Sequence, residues 1–174
     1  MKRLAGPAAV VVAAGLVAAT LVRYGPGWNG AAWSAVQVAL VALAWVDLRE
    51  RRLPNAIVVP LGAAAIVLRA AFEHDALVEI LVAGAIAFAV FLVLAVATRG
   101  GLGMGDVKLA AAEGLLFGKA AVEALLLGVV LGGVAAALLL VTQRAGRRAT
   151  YAYGPYLTLG AAIAILAFRL PPLV

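Results

Sequence analysis

The sequence contains no cysteine and few charged residues. Of its 174 residues, 13% are charged and 66% are hydrophobic. The absence of cysteine excludes a disulfide framework and thiolate zinc sites. A soluble domain of this length rarely exceeds about half apolar residues. The composition therefore indicates an integral membrane protein, with a single domain over residues 1–174 and almost no soluble part.

The apolar residues form seven segments that we expect to be membrane-spanning helices. Runs of ~18 or more apolar residues are typical of spans, and these runs lack the alternation of barrel strands. The predicted fold is an all-α, polytopic helix bundle with one extra N-terminal span before a six-helix core over about residues 31–170. The segments cover about residues 7–22, 31–46, 55–72, 76–98, 106–117, 120–142 and 153–168.

The basic residues predict how these segments cross the cell membrane. With the N-terminus inside, the outer side receives four of the 14 basic residues, Arg23, Arg69, Lys119 and Arg169. The inner side receives the others: Lys2, Arg3, Arg49, Arg51, Arg52, Arg99, Lys108, Arg144, Arg147 and Arg148. Cytoplasmic loops carry an excess of Lys and Arg, so this threading is the favoured one. The net charge of +6 then reflects membrane orientation and indicates no nucleic-acid partner.

Two aspartates stand at segment ends on the predicted cytoplasmic face. Asp47 closes the second segment, and Asp106 opens the fifth within GGLGMGDVKL. An ionised side chain at the end of a span is costly, so its presence calls for an explanation. The simpler explanation is that each aspartate forms an interfacial ion pair with Arg49 or Lys108. However, two acids on one face are also the arrangement that acid–base hydrolysis needs.

Glycines precede Asp106 at alternate positions, Gly101, Gly103 and Gly105. Glycine has no Cβ, so the backbone there is free to adopt φ > 0 or to pack closely against a neighbour. This pattern favours a functional loop over a simple interfacial charge.

Three blocks of this sequence resemble those of the type IV prepilin peptidases and preflagellin peptidases, which are GxGD membrane aspartyl proteases. DLRERRLPN, residues 47–55, is similar to the first aspartate block of that family. GLGMGDVKL, residues 101–109, resembles its GxGMGDxKL block, and YGPYLTLGA, residues 153–161, resembles its late aromatic-Gly-Pro-aromatic block. The order and separation of the blocks also suit the family, over about residues 38–161.

The resemblance implies an endopeptidase that removes the short basic leader from prepilin-like or archaellin-like precursors at the cytoplasmic membrane face. It assigns Asp47 and Asp106 as the catalytic pair, which the glycine loop would bring together. One carboxylate would activate water while the other, protonated, would donate to the oxyanion, so no metal or cofactor is expected. Residues expected to bind substrate or shape the site are Gly101, Gly103, Gly105, Lys108, Pro54 and Asn55.

The sequence departs from the bifunctional members of that family. Those members also methylate the new N-terminus, using an insertion with paired CxxC motifs before the first aspartate block. Here the first loop covers only residues 23–30 and the sequence has no cysteine. We therefore expect peptidase activity without N-methyltransferase activity.

Two other classes of protein also carry paired membrane acids. A small multi-pass transporter would use them as a proton relay, but both aspartates are expected at one surface. The presenilin and signal peptide peptidase group shares the GxGD motif, but its chains are longer and lack the Pro-Asn and Tyr-Gly-Pro-Tyr blocks. The sequence itself leaves the precursor and the oligomeric state open.

Overall fold

The computed structural model describes residues 5–98, 101–142, 153–168, 170 and 172–173. In these residues the chain forms seven α-helices and one 3₁₀ turn, Gly118–Ala120. The helices are α1 Ala5–Tyr24, α2 Trp28–Glu50, α3 Asn55–Phe72, α4 His74–Ala97, α5 Met104–Phe117, α6 Ala121–Val141 and α7 Gly154–Ala167. The predicted all-α bundle is confirmed, and its boundaries shift by a few residues at most.

Most of these helices are long and apolar enough to cross a membrane. Five such stretches occur in the described residues, and one of them, Met104–Leu139, joins α5 and α6. α7 is apolar but shorter. Large apolar side chains such as Val82 on α4 and Val134 on α6 are about half exposed, at 50% and 54%. Exposed apolar surface of this kind suits contact with lipid, and the protein is a multi-pass membrane protein.

A turn at Gly118 separates α5 from α6. Gly118 has φ 57° and ψ −127°, and an α-helix cannot continue through a residue with these dihedral angles. A Cβ at this position would lie 2.7 Å from Oε1 of Glu79. The same carboxylate accepts the N–H of Lys119 at 3.1 Å and pairs with its Nζ at 2.8 Å. The break that the sequence predicted between the fifth and sixth segments therefore occurs here.

Close glycine contacts hold the central helices together. A Cβ on Gly114 of α5 would lie 2.7 Å from Cα of Gly84 on α4. A Cβ on Gly160 of α7 would lie 2.8 Å from Cα of Gly128 on α6. In lipid, where apolar burial drives helix association weakly, such close backbone packing supplies the attraction. Most of α5 and α7 is consequently buried.

Apart from Glu113 within α5, the described charged residues lie at two opposite ends of the bundle. Asp106 lies in the first turn of α5 and Lys119 follows Gly118, just beyond its last residue, so the two lie at opposite ends of that helix. The end with Lys119 also holds the pair Arg69–Glu73, and Arg23 there donates to the carbonyl of Phe168 at 3.3 Å. The predicted threading requires such a division, and which end faces the cytoplasm stays a prediction. Lys2, Arg3, Arg99, Arg144, Arg147, Arg148 and Arg169 lie outside the described residues.

Candidate active site

Asp47 lies in the last turn of α2, with only 5% of its surface exposed. The helix ends just after it because Arg51 adopts the left-handed conformation, with φ 52° and ψ 41°. The N–H of Arg51 donates to the carbonyl of Asp47 at 2.8 Å. The Oδ2 atom of Asp47 is buried and accepts no hydrogen bond from the residues that the structure describes. Gly154 packs directly against this oxygen.

Asp106 is the third residue of α5 and is 8% exposed. Its Oδ2 atom accepts the backbone N–H of Gly103 at 3.1 Å and so caps the helix. The first turn of a helix leaves N–H groups without partners and favours an anion by roughly 0.3–1 kcal/mol. The cap fixes the position of this carboxyl relative to the axis of α5.

Leu53, in the loop between α2 and α3, packs against residues that adjoin both aspartates. A Cβ on Gly105, beside Asp106, would lie 3.0 Å from Cβ of Leu53. A Cβ on Gly154 would lie 3.2 Å from Cδ2 of Leu53 and 2.7 Å from Oδ2 of Asp47. The two aspartate carboxyls are close enough for their charges to interact. The three blocks found in the sequence thus meet at one end of the bundle.

The glycine loop before Asp106 reaches the other two blocks by close packing, not by an unusual backbone conformation. Gly105 packs on Leu53, and Gly103 provides the N–H that caps α5. Gly101 donates its N–H to the carbonyl of Thr98 at 3.2 Å, which turns the chain after α4. None of these three glycines has a positive φ. Of the two expectations for this loop, close packing is therefore found and φ > 0 is not.

A side-chain hydrogen bond also joins the first two blocks. Nζ of Lys108 donates to Oδ1 of Asn55 at 3.1 Å. Pro54 precedes Asn55 as the N-cap of α3, and its carbonyl accepts the N–H groups of Ile57 and Val58 at 3.0 and 3.2 Å. The Lys108 amine is thus directed to Asn55, which disfavours the simpler interpretation in which it neutralises Asp106.

Some neighbours of the pair had no predicted role. The ring of Tyr153 packs on Gly132 of α6, and its hydroxyl donates to the carbonyl of Val129 at 3.4 Å. This contact positions the start of α7, where Gly154 approaches Asp47. Tyr153 and Gly154 belong to the third block, so the sequence marked the segment, but nothing in it showed which side chain they contact.

Glu113 is a third acid on the inner face of α5. It follows Asp106 by seven residues and so lies on the same face, ~10 Å further along the helix. The side chain is 0% exposed, and neither carboxylate oxygen has a hydrogen-bond partner among the described residues. One turn further on the same face, Phe117 stacks on Trp33 of α2, with ring centroids 5.6 Å apart. Glu113 therefore lies between the aspartates and the stacked rings of Trp33 and Phe117.

The fold and site together define a polytopic membrane protein with a buried pair of aspartates at one end of its helix bundle. Residues 34–141, which include both aspartates, match the type IV leader peptidase family. The chain belongs to this family, as its three blocks indicated.

Two curated relatives are similar over most of this chain. The prepilin leader peptidase/N-methyltransferase of Bacillus subtilis (strain 168) is 30% identical over 164 residues, which cover 92% of this chain and 65% of that protein. The protein of the same name from Escherichia coli (strain K12) is 32% identical over 161 residues, which cover 88% of this chain and 70% of that protein. The chain thus spans about two thirds of the length of these relatives. No solved structure matches it.

Proposed function

We propose that this protein is a membrane aspartyl endopeptidase that removes the basic leader of type IV prepilin-like precursors. The observation that carries this proposal is the placement of Asp47 and Asp106, from two separate sequence blocks, as buried neighbours at one end of the bundle. Membership of the type IV leader peptidase family supports it. Archaellin-like precursors are a second substrate of the same chemical class.

The proposed reaction needs one proton shared between the two carboxyls. Repulsion between two neighbouring negative charges favours the state in which the pair retains one proton. The ionised carboxyl takes a proton from water, and the resulting hydroxide attacks the scissile carbonyl. The protonated carboxyl donates a hydrogen bond to the developing oxyanion. The C–N bond then breaks, the leaving nitrogen takes a proton from the pair, and a new carboxyl and a new amine result.

We place this chemistry at the cytoplasmic face of the membrane. The aspartates share their end of the bundle with Arg49, Arg51 and Arg52, and an excess of basic residues is typical of cytoplasmic loops. A basic leader remains in water at this face because a charged side chain is costly within hydrocarbon. The sequence has no cysteine, so we also propose that the protein does not carry the CxxC-dependent N-methyltransferase activity.

The transporter alternative receives less support. A proton relay needs polar groups that continue from one side of the membrane to the other. Glu113 is a further acid that lies deeper in the bundle, about two helical turns past Asp106. Beyond it, however, the stacked rings of Trp33 and Phe117 block the same face. The family match favours the protease as well.

Asparagine variants of each aspartate test the proposal. We would co-express the protein with a candidate precursor and follow removal of the leader by a gel shift. Asp47→Asn and Asp106→Asn should each lower cleavage by about 10²–10⁴-fold, the usual contribution of one acid–base group. Asp75→Asn, which changes an exposed acid in the first turn of α4 at the opposite end, should cleave normally. Robust cleavage by either aspartate variant would reject the two-carboxyl mechanism.

A further inference from the structure

A cluster of buried polar side chains lies inside the bundle, away from the aspartates. It consists of Trp33, Ser34 and Gln37 of α2 and Glu113 of α5, none of which is more than 9% exposed. Each contributes a buried polar atom without a hydrogen-bond partner among the described residues: Nε1 of Trp33, Oγ of Ser34, Oε1 of Gln37 and both carboxylate oxygens of Glu113. Buried polar groups in proteins are normally hydrogen-bonded, so this polar cluster requires an explanation.

The helix register places Gln37 and Glu113 at the same depth in the bundle. α2 ends and α5 begins at the aspartate end, so the two helices run in opposite directions. They meet where Phe117 stacks on Trp33. One turn from this stack toward the aspartates, α2 carries Gln37 and α5 carries Glu113, on the faces that hold the two rings. Nε2 of Gln37 donates to the carbonyl of Ala162 on α7 at 3.3 Å, which leaves its Oε1 atom for a group between α2 and α5.

Apolar side chains close the polar cluster on both sides. Toward the aspartates lie Leu40 on α2 and Leu109 on α5, each 0% exposed. On the other side are the stacked rings of Trp33 and Phe117. These residues interrupt the polar path between the cluster and the aspartates. The cluster is therefore badly placed to pass protons to the aspartates and well placed to hold α2 and α5 together.

The polar cluster has the composition of a site for buried water. The basic side chains at the two ends of α5 are engaged elsewhere: Lys108 with Asn55, Lys119 with Glu79 and Arg69 with Glu73. Hydrogen bonding, not ion pairing, is consequently what Glu113 offers here. Of the five unpartnered atoms in the cluster, four are oxygens that accept hydrogen bonds. A buried water molecule supplies the missing donors, and such a molecule typically makes about three hydrogen bonds to groups of this kind.

We propose that Glu113 and Gln37 bind enclosed water between α2 and α5, and that this link holds Asp47 and Asp106 at their working separation. The proposal rests on the function proposed above. Asp106 lies two turns from Glu113 on the same face of α5, and Asp47 lies at the end of the helix that carries Gln37. A link between the two helices therefore acts on both carboxyls. Glu113 is a positioning residue, and its water is separate from the water at the aspartates.

Two substitutions at position 113 separate hydrogen bonding from packing. Glu113→Leu keeps a similar volume but binds no water, whereas Glu113→Gln keeps both the shape and the hydrogen-bonding groups. Thr20→Val on α1 is the matched control. It removes a hydroxyl that is equally buried, at 0% exposure, but that donates to the carbonyl of Leu16 in its own helix. Each purified variant is assayed for leader cleavage and for thermal unfolding in one detergent.

The expected results distinguish a positioning role from a role in stability. Glu113→Leu should lower kcat by about 10–100-fold with KM unchanged, because a shift of ~1 Å at a reacting group has an effect of this size. Its Tm should not fall, since replacing a buried polar group by an apolar one of similar volume is often neutral or stabilising. Glu113→Gln should retain most of the activity, and Thr20→Val should behave like the unsubstituted protein.

Three results would overturn the proposal and leave the protease function intact. They are normal cleavage by Glu113→Leu, equal losses of activity in Glu113→Leu and Glu113→Gln, and a loss of activity in Glu113→Leu that is accompanied by a lower Tm. The last would mean that Glu113 only supports the fold. Failure of the unsubstituted protein to cleave any precursor would instead reject the protease function.

A distance measurement tests the link without any cleavage. The sequence has no cysteine, so Leu48→Cys on α2 and Met104→Cys on α5 introduce two unique thiols. Both positions lie beside the aspartates and are at least half exposed, at 63% and 50%. Spin labels on these thiols report the separation of the two helices by pulsed electron paramagnetic resonance. Glu113→Leu should shift or broaden the distance distribution, whereas Glu113→Gln should not. An unchanged distribution in Glu113→Leu would reject the link, whatever the activity of the variant.

Discussion

The α-carbon of Gly154 lies directly against the carboxyl of Asp47. A Cβ at Gly154 would come within 2.7 Å of Oδ2 and 3.1 Å of Cγ of Asp47. Gly154 does not have a positive φ, so alanine is compatible with its backbone conformation. Any effect of a methyl group here therefore arises from contact with the aspartate and with Leu53, not from backbone strain.

We accordingly predict that Gly154→Ala lowers kcat/KM for leader cleavage by about a hundredfold, because a displacement of ~1 Å at a reacting group costs about that much. Gly133→Ala on α6 is the matched control, since a Cβ there meets no atom within 4 Å. Steady-state cleavage assays on the two purified variants compare them. Equal activity of both would show that the Asp47 carboxyl is free to move without loss.

The hydrogen bond between Lys108 and Asn55 should couple the two aspartate blocks. Lys108→Met and Asn55→Ala should each reduce cleavage. The double variant should be as active as the less active of the two single variants. A double-mutant cycle should give a coupling of about 0.5–1 kcal/mol for an exposed pair of this kind. Lys119→Met with Glu79→Gln, the pair at the opposite end, provides the control and should not couple in cleavage. Additive effects at Lys108 and Asn55 would mean that the bond does not support the site.

Bulk water should stop close to the aspartates, although α5 is short for a membrane span. α5 has 14 residues, or ~21 Å of helix, whereas a hydrocarbon core is ~30 Å thick. A helix this short thins the bilayer locally or lies in a water-filled depression. Ala110 and Glu113, which follow Asp106 on the same face of α5, are both 0% exposed, so local thinning of the bilayer is favoured over a depression at these positions.

Single-cysteine variants test this prediction directly. Ala110→Cys and Glu113→Cys lie one and two turns past Asp106, and because both positions are 0% exposed neither should react with a water-soluble maleimide added from the cytoplasmic side. Arg51→Cys should react as an exposed reference, and Ala85→Cys on the lipid-facing side of α4 should not. If Ala110→Cys and Glu113→Cys react as fast as Arg51→Cys, water does extend along α5 and this prediction is wrong.

The contact between Gly84 and Gly114 should be a main source of stability. A Cβ on Gly114 would lie 2.7 Å from both the carbonyl of Ala83 and the Cα of Gly84, so α4 and α5 would have to separate. Gly114→Ala should lower the free energy of unfolding by about 1–3 kcal/mol, the usual effect of overpacking. Gly15→Ala on α1, where a Cβ meets nothing within 4 Å, should not. Thermal unfolding in one detergent measures both, and equal Tm values would contradict the prediction.

The sequence by itself determined the helices and the family of this protein. Apolar run length predicted the seven helices, and α3 begins at Asn55 and ends at Phe72 as expected. Local signals are sufficient for this because a chain in lipid must satisfy its backbone within each segment. The GxGD loop and the two other blocks likewise indicated the type IV leader peptidase family before any contact was known.

Only the tertiary structure decided which atoms meet at the aspartates. Leu53 lies between Gly105 and Gly154, Lys108 is directed to Asn55, and the glycine loop packs closely without any positive φ. These contacts join residues far apart in the chain, so no local pattern contains them. Spacing along one helix reveals which residues share a face, whereas the partner of that face is set by the packing of the whole bundle.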